Sequence, residues 1–149
     1  MIKKIKYFKF KRPYVLVPMC LDFLHHGHIN ILKKSKKLGN IIIALSTDDG
    51  ILDYKKKKTS IPYKERFKIA SSLKDVSYVT PSKGPEDFSK LAKKFKCEFV
   101  VHGDDWKKGP QAKYRKELIQ TMKEWKGKVI DFPYTKKISS TIIKSNILK

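Results

Sequence analysis

Arginine is nearly absent from this strongly basic chain. Only Arg12, Arg66 and Arg115 stand among 35 basic residues, set against 14 acidic ones for a formal charge of +21. Proteins built to read phosphates and bases lean on the bidentate fork of arginine. Lysine in such excess, spread over every segment, reads as a solvated surface, so nucleic acid is not the expected partner. Cysteine is scarce too: Cys20 and Cys97 make neither a disulfide framework nor a Cys-x-x-Cys pair, which points to a reducing, cytoplasmic setting. No apolar run approaches the ~20 residues that span a bilayer, so no membrane insertion is expected. Met1 to Arg12 is cationic but lacks the apolar stretch of a secretory signal. Internal repeats and domain linkers are also missing.

What remains is 149 residues, 40% of them hydrophobic, enough for one globular domain with a respectable core. We read residues 14–149 as that domain and residues 1–13 as an added basic arm. Short apolar runs alternate with helical periodicity. Tyr14-Val15-Leu16-Val17, Ile41 to Leu45, Val76 to Val79, Phe99-Val100-Val101 and Val129-Ile130 read as strands, the β-branched second run being typical of a strand buried on both faces. Between them, helices are expected over Ile29 to Leu38 (closed by Gly39), from Pro62 through Leu73, and over Phe88, Leu91, Ala92 and Phe95. A long helix follows over Tyr114, Leu118, Met122 and Trp125, and a last one opens at Ser139. The second strand ends in Ser46-Thr47-Asp48, a polar stretch containing Lys55 to Lys58 follows, and Pro81 with Gly84 reads as the stop of the third strand. The alternation implies an α/β fold, Rossmann-like and three-layered, with a five-stranded parallel sheet covered on both faces.

Three of the four histidines fall in His25-His26-Gly27-His28, on the turn where the first strand hands over to a helix. A helix start exposes unpaired N–H groups and the positive end of the dipole, which suits an anion. Ligands of open parallel sheets bind outside the carboxyl ends of the strands. Two further polar segments follow strand ends, His102 to Trp106 and Tyr134 to Thr141, the latter carrying Ser139-Ser140-Thr141 at a helix start. Two anion cradles on one edge fit a triphosphate. Plainer roles compete at each point. The histidines can cap and pack, Asp104-Asp105 and Ser139 can cap, and Lys55 to Lys58 can be a solvated charge run. Cys20, His25 and His28 are conceivable zinc ligands, but no second ligand pair completes a tetrahedral set.

Taken together these residues resemble the cytidylyltransferase family of His-x-Gly-His nucleotidyltransferases, over about residues 14–145. The resemblance rests on His25-His26-Gly27-His28, Leu38-Gly39, Ser46-Thr47-Asp48, Tyr63 with Arg66, Gly103-Asp104-Asp105-Trp106 and Ile138-Ser139-Ser140-Thr141, in family order. Small glycerol-3-phosphate cytidylyltransferases are the single-domain examples. Val101 to Lys107, Lys123-Glu124-Trp125 and Pro133-Tyr134-Thr135, with Met19 and Asp22, look more like the cytidylyltransferase-like domain fused to phosphoenolpyruvate phosphomutase. Met19-Cys20-Leu21-Asp22 stands where the family has Gly-Thr-Phe-Asp. Tyr134-Thr135 stands for its Arg-Thr, and Lys137 for a glycine.

The resemblance implies transfer of CMP from CTP to a phosphorylated or phosphonate alcohol with release of pyrophosphate. Named acceptors are 2-hydroxyethylphosphonate-like compounds, glycerol 3-phosphate, and phosphocholine or phosphoethanolamine. It implies His25, His28 and Lys55 (Lys57 as neighbour) as catalytic groups. Nucleotide contacts fall on Met19, Cys20, Leu21, Asp22, Gly27, His102, Gly103, Asp104, Trp106, Thr135, Ile138, Ser139, Ser140 and Thr141, and acceptor contacts on Asp22, Lys55 and Arg66. Mg2+ entering with CTP and a homodimer are further implications. An ATP-using adenylyltransferase of the same fold and a catalytically inactive basic binding module are the alternatives.

Overall fold

The computed structural model describes residues 9–133 and 138–148. Among these residues five strands, β1 (Tyr14–Met19), β2 (Asn40–Ser46), β3 (Val76–Ser82), β4 (Phe99–Gly103) and β5 (Lys128–Phe132), form one sheet in the order β3-β2-β1-β4-β5. Every pairing is parallel, as the helix-separated strands predict. Among the described residues six α-helices connect and flank them: α1 (His26–Lys36), α2 (Asp48–Lys55), α3 (Tyr63–Ser72), α4 (Phe88–Phe95), α5 (Ala112–Met122) and α6 (Ser140–Ile147).

Strand periodicity of two divides the core into two layers. Val15, Val17, Met19, Ile41, Ile43 and Leu45 pack with Leu32 of α1 and Ala70 of α3. Leu16, Ile42, Ala44 and Val100 face the other way, against Leu91 and Phe95 of α4 and Leu118 and Met122 of α5. All four residues of the expected apolar stripe on α4 are buried. Cys97 is buried in the same layer, and Trp125 packs against it.

The structure corrects several element boundaries. Helix α1 starts at His26, not Ile29, because the His25 ring supplies its cap. Asp48–Lys55 is a helix, not a polar stretch. Thr47 caps it, accepting from the Gly50 N–H at 3.1 Å, and Asp48 and Asp49 complement the dipole in its first turn. Strand β3 runs through Pro81 to Ser82. It is an edge strand, where a residue without an N–H costs no ladder bond. The long helix ends at Met122, followed by a tight 3-10 turn at Lys123–Trp125. Pro62 lies just before α3, at its cap.

Residues at the end of the basic arm dock onto the domain. Arg12 donates to the carbonyls of Lys96 and Phe95 and to Glu98, and the Phe10 ring meets Tyr14 edge-on. Among the described residues no helix is long and apolar enough to cross a membrane.

Candidate active site

The sheet grows outward from β1 in both directions, to β2 and β3 on one side and to β4 and β5 on the other. Consecutive connections therefore leave β1 and β4 toward opposite faces, opening a crevice at their carboxyl ends. A cleft of about 270 Å³ lies there. Its walls come from the end of β1 and the segment after it (Met19, Cys20, Leu21, His25, Gly27, His28), the end of β4 and the turn after it (His102, Gly103, Asp105), and the start of α6 (Ile138, Ser139, Ser140, Thr141).

The segment after β1 is bent by Leu21, a buried non-glycine residue in the left-handed region at φ 53°. Such a conformation costs roughly 1–2 kcal/mol and is held by packing. The bend delivers His25 to the N-terminus of α1. His25 Nδ1 accepts the Gly27 N–H at 3.1 Å, and His28 Nδ1 accepts the His25 N–H at 3.1 Å. Each ring is thus committed as an acceptor at Nδ1, which leaves Nε2 as the protonated, donating nitrogen. Burial, then repulsion from His25, pushes the His28 imidazole down to about 4. Burial, then His26, lowers His25 below its ordinary value. Both rings are neutral single donors near neutral pH. Capping and ligand binding, the two rival readings of these histidines, are compatible: Nδ1 caps while Nε2–H remains free to bind.

Opposite them, Ser139 caps α6, accepting the Ile142 N–H at 3.1 Å, and Ser140 Oγ donates to the Phe23 carbonyl at 3.1 Å. That bond spans 117 residues and ties the start of α6 to the segment after β1. Lys55, the last residue of α2, lines the same cleft.

Four sequence-predicted residues are placed elsewhere. Arg66 is fully buried and lines no cleft. Its guanidinium donates to the carbonyls of Ile61, Cys20 and Ser46 and to Asp48, at 2.6 to 2.9 Å. It ties strand ends together, with these donors engaged within the protein. Asp22 is buried, its carboxylate accepting from the backbone of Ser60 and Ile61 and from Lys144. Burial pushes its pKa up, but these partners outweigh it and hold the carboxyl below the usual range. Trp106 is buried, and its indole N–H donates to Asp131. It supports the cleft wall from behind, its ring stacked on His102 at 4.1 Å and 11°. Asp104 is not part of the wall, whereas Asp105 is. Thr135, with Tyr134 and Lys137, lies outside the described residues.

The cleft also takes in residues that sequence reasoning missed: Ile51 and Tyr54 of α2, Lys83 after β3, Phe88 at the start of α4, and Gln111 just before α5. Gly50 permits the α2 contact, since a Cβ there would stand 2.1 Å from the Lys83 carbonyl oxygen. Lys83 had a legible signal, a polar residue beyond a strand end. For Gln111 no local signal exists. As to metal, no grouping of three or more His, Cys, Asp or Glu side chains is present among the described residues. Cys20 Sγ approaches Ser46 Oγ at 3.6 Å instead.

Fold and site together define an α/β domain with a parallel sheet and paired imidazoles at its topological switch point. The chain belongs to the cytidylyltransferase-like family, whose model matches residues 16–146. It is 33% identical over 127 residues to the glycerol-3-phosphate cytidylyltransferase of Bacillus subtilis, a match covering 85% of this chain and 90% of that protein. The Staphylococcus aureus glycerol-3-phosphate cytidylyltransferase is 36% identical over 86 residues, 57% of this chain and 64% of that protein. Against the bifunctional protein HldE of Desulfatibacillum aliphaticivorans, the match spans only 26% of the longer relative. Among solved structures, the lipopolysaccharide core biosynthesis protein of Thermoplasma volcanium superposes with a TM-score of 0.67 at 24% identity, over 82% of this chain and 97% of that one, which supports the fold.

Proposed function

We propose that this protein is a cytidylyltransferase that transfers CMP from CTP to a phosphorylated or phosphonate alcohol. The observation that carries the reading is the convergence of His25, His28 and the Ser139–Thr141 helix start on one cleft. An acceptor phosphate or phosphonate oxygen attacks the α-phosphorus of CTP. The bond from that phosphorus to the bridging oxygen breaks, and pyrophosphate leaves. No covalent enzyme intermediate is needed. Charge builds on the transferring group and on the leaving pyrophosphate, so fixed donors facing those oxygens lower the barrier. The Nε2–H groups of His25 and His28 are such donors, and their tautomers are already set by the capping bonds. Ser139 to Thr141 would hold the β- and γ-phosphates at the α6 N-terminus. Lys55 supplies positive charge toward the α-phosphate or the acceptor.

Mg2+ is proposed to enter with the nucleotide. Magnesium is commonly held by one or two carboxylates together with substrate phosphates and water. Asp105 is the single carboxylate in the described cleft wall, so the triphosphate itself would supply most of the ligands. The Bacillus and Staphylococcus relatives are named for glycerol 3-phosphate, and a Schizosaccharomyces pombe relative, a probable ethanolamine-phosphate cytidylyltransferase, for ethanolamine phosphate. A homodimer belongs to the same proposal and is read by sedimentation.

The test is pyrophosphate release with CTP or ATP against glycerol 3-phosphate, phosphoethanolamine, phosphocholine and 2-hydroxyethylphosphonate. CTP with one of these acceptors should give turnover. Turnover with ATP alone would assign the adenylyl alternative. Silence with every pair, together with no rise in Tm on adding CTP, would leave a binding module without catalysis.

A further inference from the structure

Two lysines line the cleft from the β2 and β3 side of the sheet, with no carboxylate of the described wall beside them. Lys55 ends α2, the helix after β2, and Lys83 directly follows β3. Among the described residues neither ammonium is in an ion pair. The sheet order sets β2 and β3 one and two strands away from β1, after which His25 and His28 open α1. Lys83 therefore enters from the edge of the sheet, beyond the imidazoles.

The backbone under Lys83 is fixed. Its N–H donates to Asp87 at 2.8 Å, the neighbouring Ser82 carbonyl accepts the Thr47 N–H at 2.8 Å, and Gly50 of α2 packs against the Lys83 carbonyl. Acidic groups that could balance the two lysines are engaged elsewhere. Asp48 accepts from Arg66, Thr59 and the Tyr63 N–H, and Asp22 accepts from Lys144. Asp105, the carboxylate of the described wall, stands on the turn after β4, 3.7 Å from His102 Nδ1. A cage of aromatic rings could hold a quaternary ammonium without a carboxylate. Phe88, however, sets its ring near His102 and Trp106, at 6.2 and 6.1 Å, and Tyr54 joins neither contact.

We propose that Lys83 selects the acceptor by its tail, favouring an alcohol whose tail carries hydroxyl and no ammonium. The inference rests on the cytidylyl reading above and deepens it by naming the acceptor class. A lysine ammonium holds three donors and no acceptor. A tail hydroxyl accepts a hydrogen bond from it. A tail ammonium offers donors against donors, or none at all when quaternary, and adds repulsion between like charges.

The experiment is steady-state kinetics of the full chain with saturating CTP and each of four acceptors, in wild type, Lys83→Met and Lys83→Glu, beside melting curves. Wild type should favour glycerol 3-phosphate or 2-hydroxyethylphosphonate over phosphoethanolamine and phosphocholine by about 10-fold or more in kcat/KM, the scale of one like-charge contact. Lys83→Met should shrink that ratio, and Lys83→Glu should shrink it further while raising kcat/KM for phosphoethanolamine. The change should fall on the KM of the acceptor, with the KM of CTP held. Tm should hold, because the Lys83 side chain is exposed. A wild type that prefers either ammonium acceptor overturns the inference and leaves the cytidylyl reading intact. So does an equal fall for all four acceptors in Lys83→Met, which would put Lys83 on the phosphate they share, or an unchanged ratio in both variants. Silence with every acceptor overturns both readings.

Discussion

The His28 ring accepts the backbone N–H of His25 at 3.1 Å, and the two imidazoles lie 3.9 Å apart between ring centroids. One bond therefore closes the first turn of α1, fixes the tautomer of a proposed catalytic group and sets its distance from its partner.

The pairing makes stability pH-dependent. Both rings have folded pKa values below the unfolded value of 6.5, His28 at about 4. Between roughly pH 6.5 and 4 the unfolded chain binds more protons than the folded one, so stability falls as pH falls through that window. Above pH 6.5 the contribution is fully present. Thermal melts from pH 7.5 to 4.5 should show a falling Tm, and His28→Asn should flatten the slope. A Tm unchanged across the window would contradict the neutral, Nδ1-accepting assignment.

His28→Ala should lower turnover about 10²–10³-fold, the usual loss for one fixed donor. It should also lower stability by about 0.5–1.5 kcal/mol through the lost cap bond. His28→Asn places an amide oxygen near the Nδ1 position but carries nothing at Nε2. It should recover the Tm and not the rate. Recovery of both, in steady-state kinetics beside melting curves, would mean that His28 only caps.

Lys55→Ala should reduce kcat/KM strongly with little change in Tm, because Lys55 is exposed at the end of α2 and lines the cleft. Steady-state kinetics with CTP and the acceptor decides. An unchanged value moves the role to Lys83, the other lysine in the described cleft wall.

Asp22 and Lys144 join the segment after β1 to α6 across 122 residues, and Asp22 also holds the Ser60 and Ile61 N–H groups. Lys144→Met should raise the KM for CTP several-fold at nearly constant kcat, since it loosens the helix that presents Ser139 to Thr141. Asp22→Ala should add a fall in Tm, because two backbone donors then lose their acceptor. Equal KM values in Lys144→Met and wild type would show that α6 is held without this pair.

The strands, the stripe on α4 and the histidine turn were readable because each is local: a period of two, a period of 3.6, and a tetrapeptide beside an apolar run. Helix α2 escaped because its polar sequence carries little apolar periodicity. Its signals were the Thr47 cap and the two aspartates in the first turn, which the following lysines obscured. The sequence stops β3 short of Pro81 because a local pattern does not distinguish an edge strand from a central one. Asp22, Arg66 and Trp106 read as ligand contacts in the sequence for a related reason. Their residue types suit a site, and nothing nearby in the chain shows that protein partners already use them.

The order of residues alone thus settled which segments are strands and helices and where the chain gathers imidazoles and hydroxyls, since these follow from neighbours a few positions apart. Folding in three dimensions decided which polar groups meet the cleft and which are consumed within the protein. Arg66 turns to strand-end carbonyls, Asp22 to Lys144, and Gln111 joins the cleft wall from the start of α5. The physical reason is that a hydrogen bond acts over about 3 Å of space whatever the separation along the chain, and these partners meet only once the sheet has brought its strand ends together.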